Sequence, residues 1–155
     1  SLSDYDIIDK LYDASRAGVK IQLLIRGICS LIPGVKGMSE NIEAISIVDN
    51  YLEHSRVYIF GNEENPEVFI SSADFMTRNL DARVEVTCPI YDEDIKNELI
   101  NTFNIGWKGN VKARVISEKL DNKYRIRGNS PVFRAQFETY NYYSNQIEVI
   151  DEEGV

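Results

Sequence analysis

The order of apolar and polar positions predicts alternating helices and strands. A helix is predicted over Asp4–Ala17, with Ser3 as its N-cap and Gly18 as its end, and a buried strand over Val19–Ile25. Four apolar residues at helical spacing form one stripe of that helix: Ile7, Ile8, Leu11 and Tyr12. A helix followed by a glycine and a buried strand is typical of α/β proteins.

The middle of the chain predicts a long loop, a short helix and a hairpin. Glycine and proline interrupt Gly27–Asn41, which is long for a simple connection and therefore indicates a functional loop. A short strand Ile42–Ile45 and a short helix Ser46–Leu52 are predicted next. The predicted hairpin consists of the strands Val57–Phe60 and Glu67–Ser71 around the turn Asn62–Pro66.

The second half of the chain predicts two helices and three strands. One helix is predicted over Asp92–Phe103. The last helix is predicted from Ser130-Pro131 to about Tyr143, because serine caps helices and proline is tolerated at the first helical position. The residues expected to face inward from the first helix are Ile95, Leu99, Ile100 and Phe103. The three strands are Arg83–Pro89, Val111–Ile116 and Lys123–Arg127.

Length and composition indicate one α/β domain with a mixed central sheet and helices on both faces. The chain has 155 residues, of which 43% are hydrophobic and 27% charged, as in ordinary globular domains. Residues 1–144 are predicted to form the domain, and residues 145–155 an acidic tail whose composition suits disorder. No apolar run approaches the length of a membrane-spanning helix, about 20 residues. The start at Ser1 lacks signal-peptide features and indicates a fragment of a longer protein.

Charge and cysteine content narrow the classes of partner. The 17 Lys and Arg residues against 25 Asp and Glu give a net charge of -8, which argues against nucleic-acid binding. A few focused arginines can still attract a polyanion. Two cysteines, Cys29 and Cys88, are too few for a disulfide framework and, with one histidine, lack metal-site spacing. We therefore expect a reducing cytoplasm and no metal-binding residues on this chain.

The candidate chemistry is centred on His54, which is the only histidine of the chain. Arg56 and Tyr58 follow at alternate positions, so a strand over Ser55–Phe60 would place all three side chains on one face. An imidazole beside a permanent cation suits a site that handles phosphate. A histidine that only forms a hydrogen bond at a strand end fits the pattern equally well.

Three further charged residues are candidates by position. Arg26 ends a predicted buried strand, where open α/β sheets bind ligands, although a strand-end arginine in solvent is the alternative. Arg83 and Glu85 fall on the same face of a predicted strand and could orient a ligand together. Their alternative is a surface ion pair of little energetic value.

Six short blocks resemble a known family when they are taken together and in order. They are Leu24–Cys29, Ser39–Ile42, Ser46–Asp49, Tyr51–Arg56, Ser71–Asp74 and Arg83–Val86. With Arg125–Asn129 and Arg134–Gln136 nearer the end, they resemble the C-terminal domain of the polyphosphate kinases that use a phosphohistidine. This class has a phospholipase D-like catalytic fold, and the resemblance extends from about Leu11 to Tyr143.

The resemblance implies reversible transfer of the terminal phosphate of ATP to an enzyme histidine and then to inorganic polyphosphate. Two similar domains each supply half of the site, and the phosphorylated histidine belongs to the preceding domain. His54 would be the general acid, Arg26, Arg56 and Arg83 would bind phosphate oxygens, and Glu85 would orient its neighbours. Mg²⁺ is implied as the cofactor of the full enzyme, together with ATP and ADP as nucleotides. The full enzyme is expected to be a cytoplasmic homo-oligomer, with peripheral membrane attachment left open.

The chain departs from the usual phospholipase D signature, which is His-x-Lys with an aspartate four residues after the lysine. Here Arg56 stands in place of the lysine. Phe60 and Gly61, four and five residues after Arg56, are not acidic. This departure argues against a nuclease or phosphodiesterase. Because a two-histidine mechanism needs a second histidine, we expect the chain alone to make no polyphosphate.

Two alternatives remain at this point. One is a homodimeric phospholipase D-like hydrolase, which needs His54 of two copies within about 10 Å or less of each other. The other is a non-catalytic module in which four arginines bind a polyanion: Arg26, Arg56, Arg78 and Arg83.

Overall fold

The computed structural model describes residues 1–61 and 65–152, with the backbone alone for residues 148–152. The helices of this described part are α1 (Tyr5–Arg16), α2 (Thr77–Ala82), α3 (Glu93–Lys108) and α4 (Ala135–Glu152). Its strands are β1 (Ile21–Leu24), β2 (Ile42–Ile47), β3 (Val57–Phe60), β4 (Glu67–Ser71), β5 (Thr87–Ile90) and β6 (Ala113–Ile116).

The six strands form two three-stranded sheets. The first has the order β1-β2-β6, with β1 parallel and β6 antiparallel to β2. The second is the antiparallel sheet β3-β4-β5, which contains the predicted hairpin of β3 and β4. An α/β fold with a mixed sheet is therefore confirmed, and the strands are divided between two sheets instead of one. Residues 62–64 of the predicted hairpin turn lie outside the described residues.

Helix α1 packs against buried residues of the mixed sheet, and its cap differs from the prediction. Asp4, not Ser3, is the N-cap, because its carboxylate accepts the Ile7 N–H at 3.1 Å. The Thr77 hydroxyl donates to the same carboxylate at 3.0 Å, which ties α1 to α2. The predicted apolar stripe packs into a core with Leu31, Ile42 and other buried residues. Gly18 ends the helix with a φ of +89°, a conformation that favours glycine.

The predicted short helix Ser46–Leu52 is wrong, because β2 continues to Ile47. Ile45 and Ile47 are both buried in a second core with Ala113 and Ala135, and they pair with β6. Alternate burial requires an extended backbone at this point. Residues 48–56 then form an irregular connection to β3, which we call the histidine loop.

The predicted strand Arg83–Pro89 is also wrong in its first half. A helix, α2, ends at Ala82, Arg83 follows it, and β5 begins only at Thr87. Glu85, between α2 and β5, is held by side-chain hydrogen bonds from Ser72 and Asn79. The predicted strand Lys123–Arg127 is reduced to a single bridge between Arg114 and Tyr124.

Helices α3 and α4 pack against each other, and both extend beyond their predicted ends. The hydroxyl of Tyr143 on α4 donates to Glu98 on α3 at 2.9 Å. Ile95, which was predicted to face inward, is 48% exposed. The last helix begins at Ala135 rather than Ser130, because Asn110 hydrogen-bonds to the backbone of Pro131 and Phe133 and holds them outside the helix.

The acidic tail predicted for residues 145–155 overlaps the end of α4. The helical backbone continues through Glu152, and residues 153–155 lie outside the described part. None of the helices in residues 1–61 and 65–152 is long and apolar enough to cross a membrane.

Candidate active site around His54

His54 lies on the histidine loop, with its side chain exposed and the Arg56 guanidinium against its ring. One guanidinium nitrogen is 3.3 Å from His54 Nδ1 and the other is 3.1 Å from His54 Nε2. The two ring nitrogens point in divergent directions within the ring plane, so one guanidinium cannot bond to both there. Arg56 therefore lies over the face of the ring. Among the described residues, no other group forms a hydrogen bond with either ring nitrogen in the plane of the ring.

Asp74 holds Arg56 in this position from the other side. Arg56 Nε donates to Asp74 Oδ1 at 3.3 Å, and a terminal nitrogen donates to Asp74 Oδ2 at 3.2 Å. The Ser1 amine also donates to Asp74, at 3.0 Å. Burial raises the pKa of Asp74, but the Arg56 and Ser1 bonds outweigh it and lower that pKa to about 2. Asp74 is therefore ionised at neutral pH and orients the Arg56 guanidinium, which in turn contacts the His54 ring.

Tyr58 contacts both neighbours of Asp74 in the chain. Its hydroxyl donates to the Ala73 carbonyl at 2.9 Å, and its ring stacks on Phe75 with centroids 4.6 Å apart. Burial raises the pKa of Tyr58, so the hydroxyl remains a proton donor at neutral pH. These contacts fix the segment that carries Asp74.

Glu85 is fixed by two donors near the same cations. Ser72 donates its hydroxyl to one carboxylate oxygen, and the buried amide of Asn79 donates to the other at 2.6 Å. These two bonds, followed by the charges of Arg83 and Arg56, lower the pKa of Glu85. Asn79 Oδ1 is buried without a hydrogen-bonding partner among the described groups.

Arg26 and Arg83 present exposed cations at the edge of this region. Arg26 follows β1, and Arg83 follows α2. Neither guanidinium forms a recorded hydrogen bond or ion pair within residues 1–61 and 65–152. Gly27, which follows Arg26, packs closely against Ser1: a Cβ at this position would lie 2.7 Å from the Ser1 hydroxyl. The amine of Ser1 in turn binds Asp74. The end of β1 therefore adjoins the segment that holds Arg56.

The histidine loop is clamped by the start of α4. Arg134 donates twice to the Asp49 carboxylate, at 2.8 and 2.6 Å. Gln136 accepts the Tyr51 N–H at 3.0 Å and donates to the Tyr51 carbonyl at 2.8 Å. The Arg134 bond is the main cause of a lowered pKa for Asp49, whose side chain is buried.

Four residues of this arrangement were not predicted as functional: Asp74, Asn79, Arg134 and Gln136. The sequence blocks Ser71–Asp74 and Arg134–Gln136 carried the only signal for three of them. A block indicates that its residues matter but not which distant group they contact.

Comparison with known proteins gives one consistent result. The family described as "Polyphosphate kinase C-terminal domain 2" matches residues 1–136. The polyphosphate kinase of Vibrio cholerae is 52% identical over 145 residues, which are 94% of this chain and 21% of that protein. The polyphosphate kinase of Escherichia coli K12 is 50% identical over 142 residues, which are 92% of this chain and 21% of that protein.

The fold is also similar to a solved structure. The crystal structure of polyphosphate kinase from Porphyromonas gingivalis has a TM-score of 0.92 and 43% identity over 96% of this chain. The match covers 23% of that chain, so the sequence described here spans about a fifth of the length of the relatives it matches. The similarity confirms the predicted fold class.

Proposed function

Because this chain belongs to the polyphosphate kinase family, as its C-terminal domain 2, we propose that it supplies half of a phosphotransferase active site. The reaction is the reversible transfer of the terminal phosphate of ATP to inorganic polyphosphate through a phosphohistidine. The chain contributes a proton donor and phosphate-binding cations. Its nucleotides are ATP and ADP.

The arrangement at His54 carries the proposal. A general acid must reach the leaving oxygen with one ring nitrogen; the His54 side chain is exposed, and Arg56 is the one residue of the described ranges with a hydrogen-bond contact to its ring nitrogens. In the synthetic direction His54 donates a proton to the oxygen that leaves with ADP, and in the reverse direction it takes the proton back. Arg56, which contacts both ring nitrogens and is bound to Asp74, keeps the imidazole in one orientation.

Phosphate binding falls to three arginines. Arg26 and Arg83 are exposed and unpaired within the described part of the chain, so their forked donors can bind phosphate oxygens without first losing a partner. Arg56 adds a third positive charge beside His54. Most of the catalysis of phosphoryl transfer consists of positioning and charge stabilisation, which suits such a set. Glu85, held by Ser72 and Asn79, orients the neighbouring cations.

The phosphorylated histidine has to come from outside this chain. His54 is the only histidine, and one imidazole cannot be both nucleophile and acid in the same step. We propose that a preceding domain of the full enzyme supplies the nucleophile, and that the full enzyme is a homo-oligomer. The two cysteines are free, in keeping with the cytoplasm as the proposed location.

The described residues do not fit a protein-bound magnesium site. No group of three or more His, Cys, Asp or Glu side chains lies together in residues 1–61 and 65–152. Of the carboxylates at this site, Asp74 is bound by three donor nitrogens and Glu85 by two donors. Magnesium commonly retains water and binds substrate phosphates, and no step proposed here depends on it.

A hybrid enzyme tests the function. This chain would replace the matching fifth of the E. coli relative, and ATP-dependent polyphosphate synthesis would be measured with His54 and with His54→Gln. Glutamine keeps a polar side chain but cannot act as an acid, so we expect synthesis to fall by about 10²–10⁴-fold.

The unmodified chain by itself is the control for the half-site. We expect no polyphosphate synthesis from it, because it lacks the second histidine. Hydrolysis of a phosphodiester by the chain alone would contradict the proposal and favour a homodimeric hydrolase. Full synthesis by the His54→Gln hybrid would remove His54 from the role of acid.

A further inference from the structure

The basic residues of this acidic chain are concentrated in one stretch. Eight of the 17 Lys and Arg residues, but only two of the 25 Asp and Glu residues, lie between Lys108 and Arg134. We call residues 108–134 the basic segment. It carries a formal charge of +6, and the rest of the chain carries -14. Its cations are Lys108, Lys112, Arg114, Lys119, Lys123, Arg125, Arg127 and Arg134.

Hydrogen bonds fold the basic segment back on itself. The Arg125 N–H donates to the Ala113 carbonyl at 2.8 Å. The Asn110 N–H donates to the Phe133 carbonyl at 3.0 Å and brings the two ends of the segment together. Charges gathered in one compact region produce a stronger local potential than the same charges spread over the surface.

Neutral groups orient three arginines of the segment without cancelling their charge. Each donates to a main-chain carbonyl: Arg114 to Asn122 at 2.7 Å, Arg125 to Trp107 at 2.5 Å and Arg127 to Ser130 at 2.7 Å. Within the described part of the chain, the segment forms two ion pairs, Lys123–Asp121 and Arg134–Asp49. Six of its eight cations therefore have no carboxylate partner within residues 1–61 and 65–152.

The basic segment adjoins the candidate active site. Arg134 is bonded to Asp49, which lies on the histidine loop five positions before His54. The charge of Lys112 also contributes to the lowered pKa of Asp49. One end of the segment and the loop that carries the candidate acid are thus in direct contact.

We propose that the basic segment is a docking surface for the polyphosphate chain beyond its reacting end. This inference rests on the proposed function, in which only the last phosphate of the polymer reacts beside His54. The remaining phosphates must then lie against the protein, and outside the basic segment this chain carries a net charge of -14, which repels them. The segment offers six cations without a carboxylate partner among the described residues, and its last residue, Arg134, is bonded to the histidine loop. The occupant is a long linear polyphosphate, because only a polymer has enough phosphates to contact cations spread over residues 108–134.

Binding of long-chain polyphosphate and of tripolyphosphate to this chain tests the proposal. The variant Lys119→Gln/Arg127→Gln removes two exposed charges of the segment. The matched variant Lys10→Gln/Lys20→Gln removes two exposed charges elsewhere and gives the same net charge. For the first variant we expect about tenfold weaker binding of the long polymer and a salt dependence of log K shallower by about 1.4, at roughly 0.7 per lost phosphate contact.

The matched variant is expected to bind the long polymer within about twofold of the unsubstituted chain, because its lost charges lie outside the contact surface. Tripolyphosphate binding is expected to be equal in both variants. Equal losses for the long polymer in both variants, or no binding of it by the unsubstituted chain, would overturn the docking surface. The proposed function is judged separately, by synthesis in the hybrid enzyme.

Discussion

Arg56 is a single residue with two simultaneous tasks. Its guanidinium binds the Asp74 carboxylate through two nitrogens and covers one face of the His54 ring. A lysine ammonium is a compact point charge and could not do both, since it has neither the fork nor the flat surface. The departure from the usual phospholipase D signature is therefore explained by a guanidinium that supports the histidine ring.

Asp74 contributes to the pH dependence of stability. Its pKa falls from an ordinary value of 3.8 to about 2 in the folded chain. A carboxyl with a depressed folded pKa stabilises the fold above its unfolded pKa, and this contribution is lost as the pH drops from about 4 to 2. We expect Asp74→Asn to lower the free energy of unfolding by about 2 kcal/mol or less at pH 7 and by almost nothing at pH 2. Urea denaturation at several pH values measures this difference.

Asp9→Asn is the matched control for that experiment. Asp9 is an exposed carboxylate on α1 with no recorded ion pair in the described part of the chain. We expect its replacement to change the free energy of unfolding by less than about 0.5 kcal/mol at every pH. An Asp74→Asn effect that is the same at pH 7 and pH 2 would contradict the assignment.

Sequence reasoning at the residue scale reached local partners and missed distant ones. His54 and Arg56 are two positions apart, so their association could be predicted from spacing alone. Asp74 is 18 positions from Arg56, and Gln136 is 85 positions from Tyr51. No periodicity in one sequence reports contacts over such separations, because periodicity reflects the geometry of one helix or strand and not the packing of distant segments.

At the scale of elements, the first turn of α4 determines the shape of the histidine loop. Gln136 makes two hydrogen bonds to the backbone of Tyr51, at 3.0 and 2.8 Å. We expect Gln136→Ala to speed hydrogen exchange of the Tyr51 amide by about fivefold or more, since one such bond contributes about 1 kcal/mol. Exchange measured by NMR reads this amide directly.

The control is Gln146→Ala, which removes an exposed side chain of the same type from the same helix. It should leave the Tyr51 exchange rate unchanged. In the hybrid enzyme, Gln136→Ala should lower kcat with little change in the KM for ATP, because it disturbs the acid more than the phosphate-binding arginines. An unchanged Tyr51 rate in Gln136→Ala would show that α4 does not hold the loop.

Elements with local signals were predicted well, and elements fixed by tertiary contacts were not. Helix α1 and the β3–β4 hairpin follow from apolar spacing and turn residues. The predicted helix at Ser46–Leu52 failed because pairing of β2 with β6 favoured an extended backbone. The start of α4 was placed too early because Asn110 bonds to residues that would otherwise cap a helix well.

At the scale of the whole molecule, Gly109 is the point where three elements meet. A Cβ there would lie 3.0 Å from the Gly106 carbonyl of α3, 3.2 Å from Ile47 of β2 and 3.3 Å from Ala135 of α4. We expect Gly109→Ala to lower the free energy of unfolding by about 1–3 kcal/mol, because the crowded backbone and core have to move. Thermal or urea unfolding provides the measurement.

Gly106→Ala gives the comparison. Its Cβ would meet one Leu24 methyl at 2.9 Å, and that side-chain end can rotate away. Alanine is also favoured over glycine inside a helix by up to about 1 kcal/mol, so we expect little loss or a small gain in stability. Equal losses of unfolding free energy in both variants would mean that close packing at Gly109 does not limit stability.

The fold class could be predicted from the sequence, but the division of the strands could not. The alternation of helical and strand patterns predicts α/β, and the similarity to a solved structure at a TM-score of 0.92 confirms it. Which strand pairs with which depends on contacts such as Ile45 with Val115, 70 positions apart. These pairings produce two sheets where the sequence pattern alone predicts one.

The uneven placement of charge also gives the molecule a direction. Residues 108–134 carry +6 and the remainder carries -14, so the charge of the chain is unevenly distributed. A negatively charged polymer that approaches from any side exerts a torque, which rotates the basic segment toward it before contact. If the basic segment binds the polymer as proposed, we expect association to be faster than for random orientation, and the gain to fall as added salt shortens the range of the field to about 10 Å at 0.1 M.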